Sequence, residues 1–242
     1  MRPRLKSPQE RICVALDVSD LGAAKNLVEN LVMHVGFFKV GFELFTSVGP
    51  SAVSLVKGLG GKVFLDLKFH DIPNTVAQAA AAATKLGVTL LNVHASGGKE
   101  MMAKAAAAVA QKAREERMDK PFLIAVTVLT SLDARILDTE LRIPGNVEDQ
   151  VVHLAKLAMA SGLDGVVASP QEITAVREAC GSEFLIVTPG VRPLGVSADD
   201  QKRIMTPKEA IKAGADILVI GRAITSSSNP SEAAKRILEE IT

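Results

Sequence analysis

Lys62-Val-Phe-Leu-Asp-Leu-Lys68 runs directly into Phe69-His-Asp-Ile-Pro-Asn-Thr-Val76. In a β-strand, residues i and i+2 face the same side. Asp66 and Lys68 are therefore expected to point together from the C-terminal tip of a short apolar strand, with Asp71 following in the loop. Charges at a buried strand end are costly unless they pair or do chemistry.

Working outward, this strand (63–67) has seven counterparts, at 12–16, 37–41, 90–94, 122–128, 165–169, 184–188 and 216–220. Segments of helical period lie between them, among them 23–33, 75–86, 99–115, 148–159 and 171–179. Asp20, Pro50-Ser51, Gly87 and Gly162 fit as helix start and stop signals. Eight runs in 242 residues amount to one βα unit per roughly 30 residues. The runs are apolar on both faces, as a sheet covered by helices requires. The expectation is an α/β fold, a single-domain (β/α)8 TIM barrel over residues 1–242, with residues 1–10 as a loose N-terminal tail. An open doubly wound sheet is the rival, but no Gly-x-Gly-x-x-Gly follows the first run.

Composition narrows the function. The net charge of +1 favours neither nucleic acid nor an anionic membrane surface, and the chain has no Trp or Tyr to stack on bases. No apolar run approaches the ~18–20 residues of a membrane span, and the basic N-terminus lacks the apolar stretch of a signal peptide. Cys13 and Cys180 read as small buried hydrophobes, reduced in a cytoplasm. There is no Cys-x-x-Cys or His-Glu-x-x-His spacing, so no metal site is expected.

In such a barrel, function sits at the C-terminal ends of the strands. Taken in order, those ends carry Asp17, Lys39, Asp66 with Lys68, His94, Thr127 with Thr130 and Ser131, Ser169, Arg192 and Gly221-Arg222. They form two groups. Asp17, Lys39, Asp66, Lys68 and Asp71 alternate in sign, which keeps lysines protonated and aspartates ionised. A lysine so held is a positioned cation and proton donor rather than a Schiff-base nucleophile. Thr188-Pro-Gly-Val-Arg192 opens a long loop, and Ile220-Gly-Arg-Ala223 closes the last strand. Loops after strands seven and eight are the recurrent phosphate site of this fold. Two arginines can grip phosphate oxygens bidentately, and Gln201 lies within the loop, which reads as a lid. His94 is expected to hydrogen-bond behind the site rather than catalyse. His70 is read as outside the array, and Phe37, Phe38, Phe42 and Phe45 as core and helix packing.

These motifs resemble orotidine 5′-phosphate decarboxylase of the bacterial type. The resemblance rests on Ala15-Leu-Asp17, Lys39, the Asp66 to Thr75 string, Val126-Thr-Val-Leu-Thr-Ser131, Thr188-Pro-Gly-Val-Arg192 and Val219-Ile-Gly-Arg222, and it runs from about Arg11 to Glu240. It implies decarboxylation of orotidine 5′-monophosphate to uridine 5′-monophosphate without metal or cofactor. It also implies a homodimer in which the loop bearing Asp71, Ile72 and Thr75 completes the neighbour's site. By the same resemblance, Lys68 meets the carbanion and returns a proton, with Asp66 and the partner's Asp71 beside it. Asp17 and Lys39 would hold the ribose hydroxyls, and Thr130 would sit at the pyrimidine. Arg192, Gln201, Gly221 and Arg222 would bind the phosphate. The alternatives are a metal-dependent sugar-phosphate decarboxylase or aldolase of the same barrel group, and a phosphate-sensing barrel without catalysis. The first is disfavoured because Lys39 stands where that group places a magnesium-binding acid. The second has no need of an alternating charge array.

Overall fold

The computed structural model describes residue 5 and residues 7–193 and 205–242. Eight strands are arranged in parallel around a closed barrel in sequence order: β1 (Ile12–Ala15), β2 (Phe37–Val40), β3 (Lys62–Phe69), β4 (Leu90–His94), β5 (Phe122–Val126), β6 (Gly165–Val167), β7 (Leu185–Pro189) and β8 (Ile217–Ile220). β8 pairs back onto β1 through Leu218 beside Ile12 and Ile220 beside Val14, so the sheet has no free edge. The sequence places each strand correctly. The exceptions are lengths: β5 and β6 stop at Val126 and Val167, whereas β3 runs two residues past the expected end.

Strand alternation builds two layers of core. Cys13, Phe37, Phe64, Leu90, Ile124, Val187 and Ile217 fill the interior of the barrel. The intervening residues, such as Val14, Phe38, Leu65 and Leu91, pack outward under the helices. At about 1.5–3 kcal/mol for each large apolar side chain fully buried, these two layers are the main favourable term in folding. The largest helix–helix contact joins α4 and α5, counting helices in chain order: α1 (Leu21–Leu31), α2 (Phe42–Val48), α3 (Ser51–Gly58), α4 (Pro73–Lys85) and α5 (Gly98–Glu115). The alanine-rich stretches lie here, with Ala80, Ala83 and Ala105 buried, and small side chains let the two backbones approach closely. α6 (Ala134–Thr139), α7 (Val147–Ala160), α8 (Ile173–Cys180), α9 (Pro207–Ala213), α10 (Arg222–Thr225) and α11 (Pro230–Ile241) complete the outer layer among the described residues.

The expected loose tail is packed from Pro8 onward. Residues Pro8–Arg11 form a 3-10 turn, and Gly36 donates its N–H to the Gln9 carbonyl at 2.8 Å. Glu10 is only 8% exposed and meets the Lys62 ammonium at 2.8 Å. A side chain at position 36 would lie 2.6 Å from the Glu10 Cα, so glycine permits the approach. Leu5 packs against the interior cluster from the same side. The segment therefore covers the N-terminal end of the barrel and leaves the other end for chemistry.

Candidate active site

The opposite mouth carries an alternating chain of charges. Lys39 at the end of β2 places its ammonium 3.1 Å from one oxygen of Asp17, which follows β1, and 3.5 Å from Asp66 Oδ2 on β3. Asp66 Oδ1 in turn lies 2.8 Å from the Lys68 ammonium. The order is thus Asp17, Lys39, Asp66, Lys68, with each lysine touching a carboxylate. Exposure rises outward: Asp66 is 8% exposed as a residue, whereas the Asp17 side chain is 61% exposed.

Burial sets the charges against one another. Burial alone opposes the charge on Lys39, but the carboxylates of Asp66 and Asp17 outweigh it and hold its pKa above the ordinary lysine value. Burial likewise pushes the Asp66 carboxyl up. Lys39, Lys68 and the hydrogen bonds from Lys68 and Asn92 overcome that push, and the net shift is downward. Asp66 is a firmly ionised carboxylate between two ammoniums. Beneath them, burial drives the Cys13 thiol far up against the pull of Lys39, so the floor of the array is neutral.

Asp66 and Lys68 do meet, but not through plain strand alternation. Between the β3–β4 pairs Leu65 with Leu91 and Phe69 with Val93, four residues of β3 advance against two of β4. Lys68 lies in this bulge with φ 43°, a left-handed conformation that is unusual for a residue with a Cβ. The sequence also pointed past Asn92, which is fully buried. Its Nδ2 donates to Asp66 Oδ1 at 2.7 Å, and its Oδ1 accepts the Lys68 backbone N–H at 2.8 Å. A signal was present: Leu90, Asn92 and His94 share one face of β4, so an amide stands among core residues. Gly41 is a second omission, because a Cβ there would sit 2.8 Å from Lys39 Nζ. Phe42 is a third. It is 57% exposed rather than core, and the Lys68 ammonium lies 5.3 Å from its ring centroid.

The remaining expected residues are arranged less tightly. Asp71 is exposed, accepts the Ile72 N–H at 2.6 Å, and joins no ion pair among the described residues. Ile72 is 68% exposed, and Thr75 is exposed in the first turn of α4. Thr130 stands on an exposed turn after β5. Thr127, by contrast, turns its hydroxyl to the Val167 carbonyl and stitches β5 to β6. The His94 ring lies 5.4 Å from that of His70. Burial first, then His70 and Lys68, hold the His94 pKa below its ordinary value against the pull of Asp66.

The strand ends expected to take the phosphate lie next to the charge array. A side chain at Gly221 would lie 3.9 Å from Asp17 Oδ2. Arg222 begins α10 and is exposed, and Arg192 is half-buried after β7. The Arg192 N–H donates to the Met205 carbonyl at 3.1 Å, and Val191 bridges Met205. The two ends of the long loop are therefore fastened together beside the mouth. Gln201 lies outside the described residues.

Residues 10–237 match the model of the Orotidine 5′-phosphate decarboxylase / HUMPS family. The chain belongs to this decarboxylase family. Orotidine 5′-phosphate decarboxylase of Moorella thermoacetica is 58% identical over 233 residues, covering 96% of this chain and 92% of that one. The enzyme of the same name from Trichlorobacter lovleyi is also 58% identical over 233 residues, covering 96% and 95%. The crystal structure of Orotidine 5′-phosphate decarboxylase from Lactobacillus acidophilus superposes with a TM-score of 0.85 at 38% identity, covering 96% of this chain and 99% of that one. The family assignment and the closed eight-stranded barrel agree, and the array lies at the strand ends where barrels of this architecture do chemistry.

Proposed function

We propose that the protein decarboxylates orotidine 5′-monophosphate to uridine 5′-monophosphate, the final step of UMP synthesis, in the cytoplasm. The observation that carries this reading is the unbroken Asp17, Lys39, Asp66, Lys68 chain of alternating charge at the barrel mouth. When the carbon–carboxylate bond breaks, its electron pair stays on the ring carbon in the plane of the pyrimidine, where no ring carbonyl can delocalise it. A cation must meet that pair directly. Lys68 is the outer ammonium of the array, and it then transfers a proton to the carbon, which leaves a neutral pyrimidine ring, a neutral lysine amine and CO2. Asp66 fixes the Lys68 ammonium, and Asp17 with Lys39 takes the ribose hydroxyls.

One charge pair at ~4 Å is worth only ~4 kcal/mol at an effective dielectric of ~20, whereas large enzymatic rate enhancements need up to ~23 kcal/mol. The rest is assigned to binding energy from the remote phosphate, held by Arg192, Gln201, Gly221 and Arg222, which closes the site and excludes water. Thr130 contacts the pyrimidine. No resident cofactor or metal enters this scheme.

A homodimer completes the site. Asp71 joins no ion pair among the described residues, and Ile72 beside it is 68% exposed, which supports a loop that serves a neighbour's mouth with Asp71, Ile72 and Thr75. The metal-dependent sibling reading is weakened by Lys39, whose ammonium 3.5 Å from Asp66 would repel a dication there. Incubating the purified protein with orotidine 5′-monophosphate and following its ultraviolet absorbance tests the proposal. Loss of absorbance that persists in EDTA is expected. An unchanged spectrum rejects the decarboxylase reading, and a loss abolished by EDTA favours the metal-dependent one.

A further inference from the structure

The β3 bulge leaves Lys68 with two structural problems. Its backbone N–H has left the regular β3–β4 ladder, and its φ of 43° is costly for a residue with a Cβ. One side chain answers both. Asn92, fully buried on the neighbouring strand, accepts the Lys68 N–H at 2.8 Å with its carbonyl oxygen and donates to Asp66 Oδ1 at 2.7 Å with its amide nitrogen. The two partners fix the amide orientation, because a backbone N–H needs an oxygen and a carboxylate needs a donor. Asp66 Oδ1 is also the oxygen that meets the Lys68 ammonium at 2.8 Å. Asn92 thus closes a small ring: it grips the backbone of the residue whose side chain is gripped by the carboxylate it orients.

Few side chains can do this. A leucine would leave the Lys68 N–H unpaired in the interior, and an ionised aspartate could accept from that N–H but not donate to Asp66. We propose that Asn92 is a positioning residue for the reaction: its amide locks the kinked backbone of Lys68 and the rotamer of Asp66 as one unit, and so aims the Lys68 ammonium at the reacting carbon. This rests on the decarboxylase reading. Asn92 need not touch substrate, and its effect belongs to the chemical step rather than to nucleotide capture at the phosphate corner.

The experiment combines two variants and two readouts. In Asn92→Ala, kcat is expected to fall about 10- to 150-fold, the ratio set by losing a hydrogen bond to a charged group. KM and the affinity for uridine 5′-monophosphate are expected to stay within about threefold of wild type, since the phosphate grip is untouched. Asn92→Asp preserves shape but brings two carboxyls to hydrogen-bonding distance, so one must hold a proton. Its turnover is expected to recover towards acid, where the new carboxyl can donate to Asp66, and to fall as pH rises through the shared ionisation. The other titratable groups around this point, Asp17, Cys13, Lys39, Lys68, His70 and His94, are common to both proteins, so an added alkaline limb reports the new carboxyl. Kinetics within twofold of wild type in Asn92→Ala, or a pH profile of Asn92→Asp parallel to wild type, would overturn the proposal. If Asn92→Ala does not fold, the Asn92→Asp profile decides. If wild type itself leaves orotidine 5′-monophosphate untouched, the functional reading has failed separately. Hydrogen exchange of the Lys68 backbone amide then decides this inference: protection in wild type that is lost in Asn92→Ala, where the acceptor is gone, supports it, and unchanged protection refutes it.

Discussion

Gly41→Ala should damage catalysis while leaving the fold intact. Gly41 joins β2 to α2 with φ −97° and ψ −169°, extended backbone that any residue adopts, so an added methyl causes no backbone strain. It would, however, sit 2.8 Å from Lys39 Nζ, where ordinary contact begins near 3.4 Å, so the ammonium must retreat by about 0.6 Å. Lys39 spans Asp17 at 3.1 Å and Asp66 at 3.5 Å, and a retreat from the methyl cannot preserve both contacts. Losing one charge-assisted contact of about 1.5–3 kcal/mol at this largely buried lysine predicts a fall of roughly 10- to 150-fold in kcat/KM. Stability should move little. The methyl lowers the entropy of the unfolded chain, worth about 0.4–1 kcal/mol, and alanine is a poorer helix N-cap than glycine by an amount of similar size. The assay pairs steady-state decarboxylation with a thermal melt. Full activity would refute the close packing of position 41 against Lys39, and a melt lowered in step with activity would make Gly41 a folding residue only.

The proposed homodimer with shared sites makes a complementation prediction: Lys68→Ala and Asp71→Ala proteins should each be nearly dead, yet mixing them should restore about a quarter of wild-type activity, because random pairing makes half the dimers mixed and each has one intact site. No recovery despite verified subunit exchange would return Asp71 to its own chain. His94 predicts a pH effect on stability. Its folded pKa lies below the ordinary 6.5, so the unfolded chain binds the proton first and stability is lost as pH falls from about 6.5 through the folded value. His94→Gln should flatten the melting temperature against pH over that window, and an identical slope would remove His94 as the cause.

The barrel was legible because its strands are buried on both faces. Runs such as Ile12–Ala15 and Ile217–Ile220 are apolar throughout and cannot be confused with amphipathic helices. Charges at strand tips were legible for the same reason, since Asp66 and Lys68 interrupt such a run. The Asn92 bridge was not, because it pairs residues 24 and 26 positions apart through a register shift that no local pattern announces. The plug at the other end escaped similarly: Glu10 meets Lys62 across 52 positions, and a basic, proline-bearing N-terminus gives no hint of a buried acid. Phe42 misled because aromatic residues beside a strand usually pack inward, yet this one begins α2 at the open mouth and lies under the Lys68 ammonium. The outward reach of Asp71 and Ile72 shows only in their exposure, which depends on how the loop leaves the barrel.

Turnover of orotidine 5′-monophosphate by wild type and by Lys68→Ala, followed side by side in deuterated buffer, tests the role of the lysine most directly. Wild type should bleach the substrate absorbance and place one deuterium on the product ring carbon per turnover. Lys68→Ala should bind uridine 5′-monophosphate with largely retained affinity and produce no measurable CO2. Turnover near the wild-type rate in Lys68→Ala would contradict the assignment of Lys68 as the cation that meets the carbanion and returns its proton.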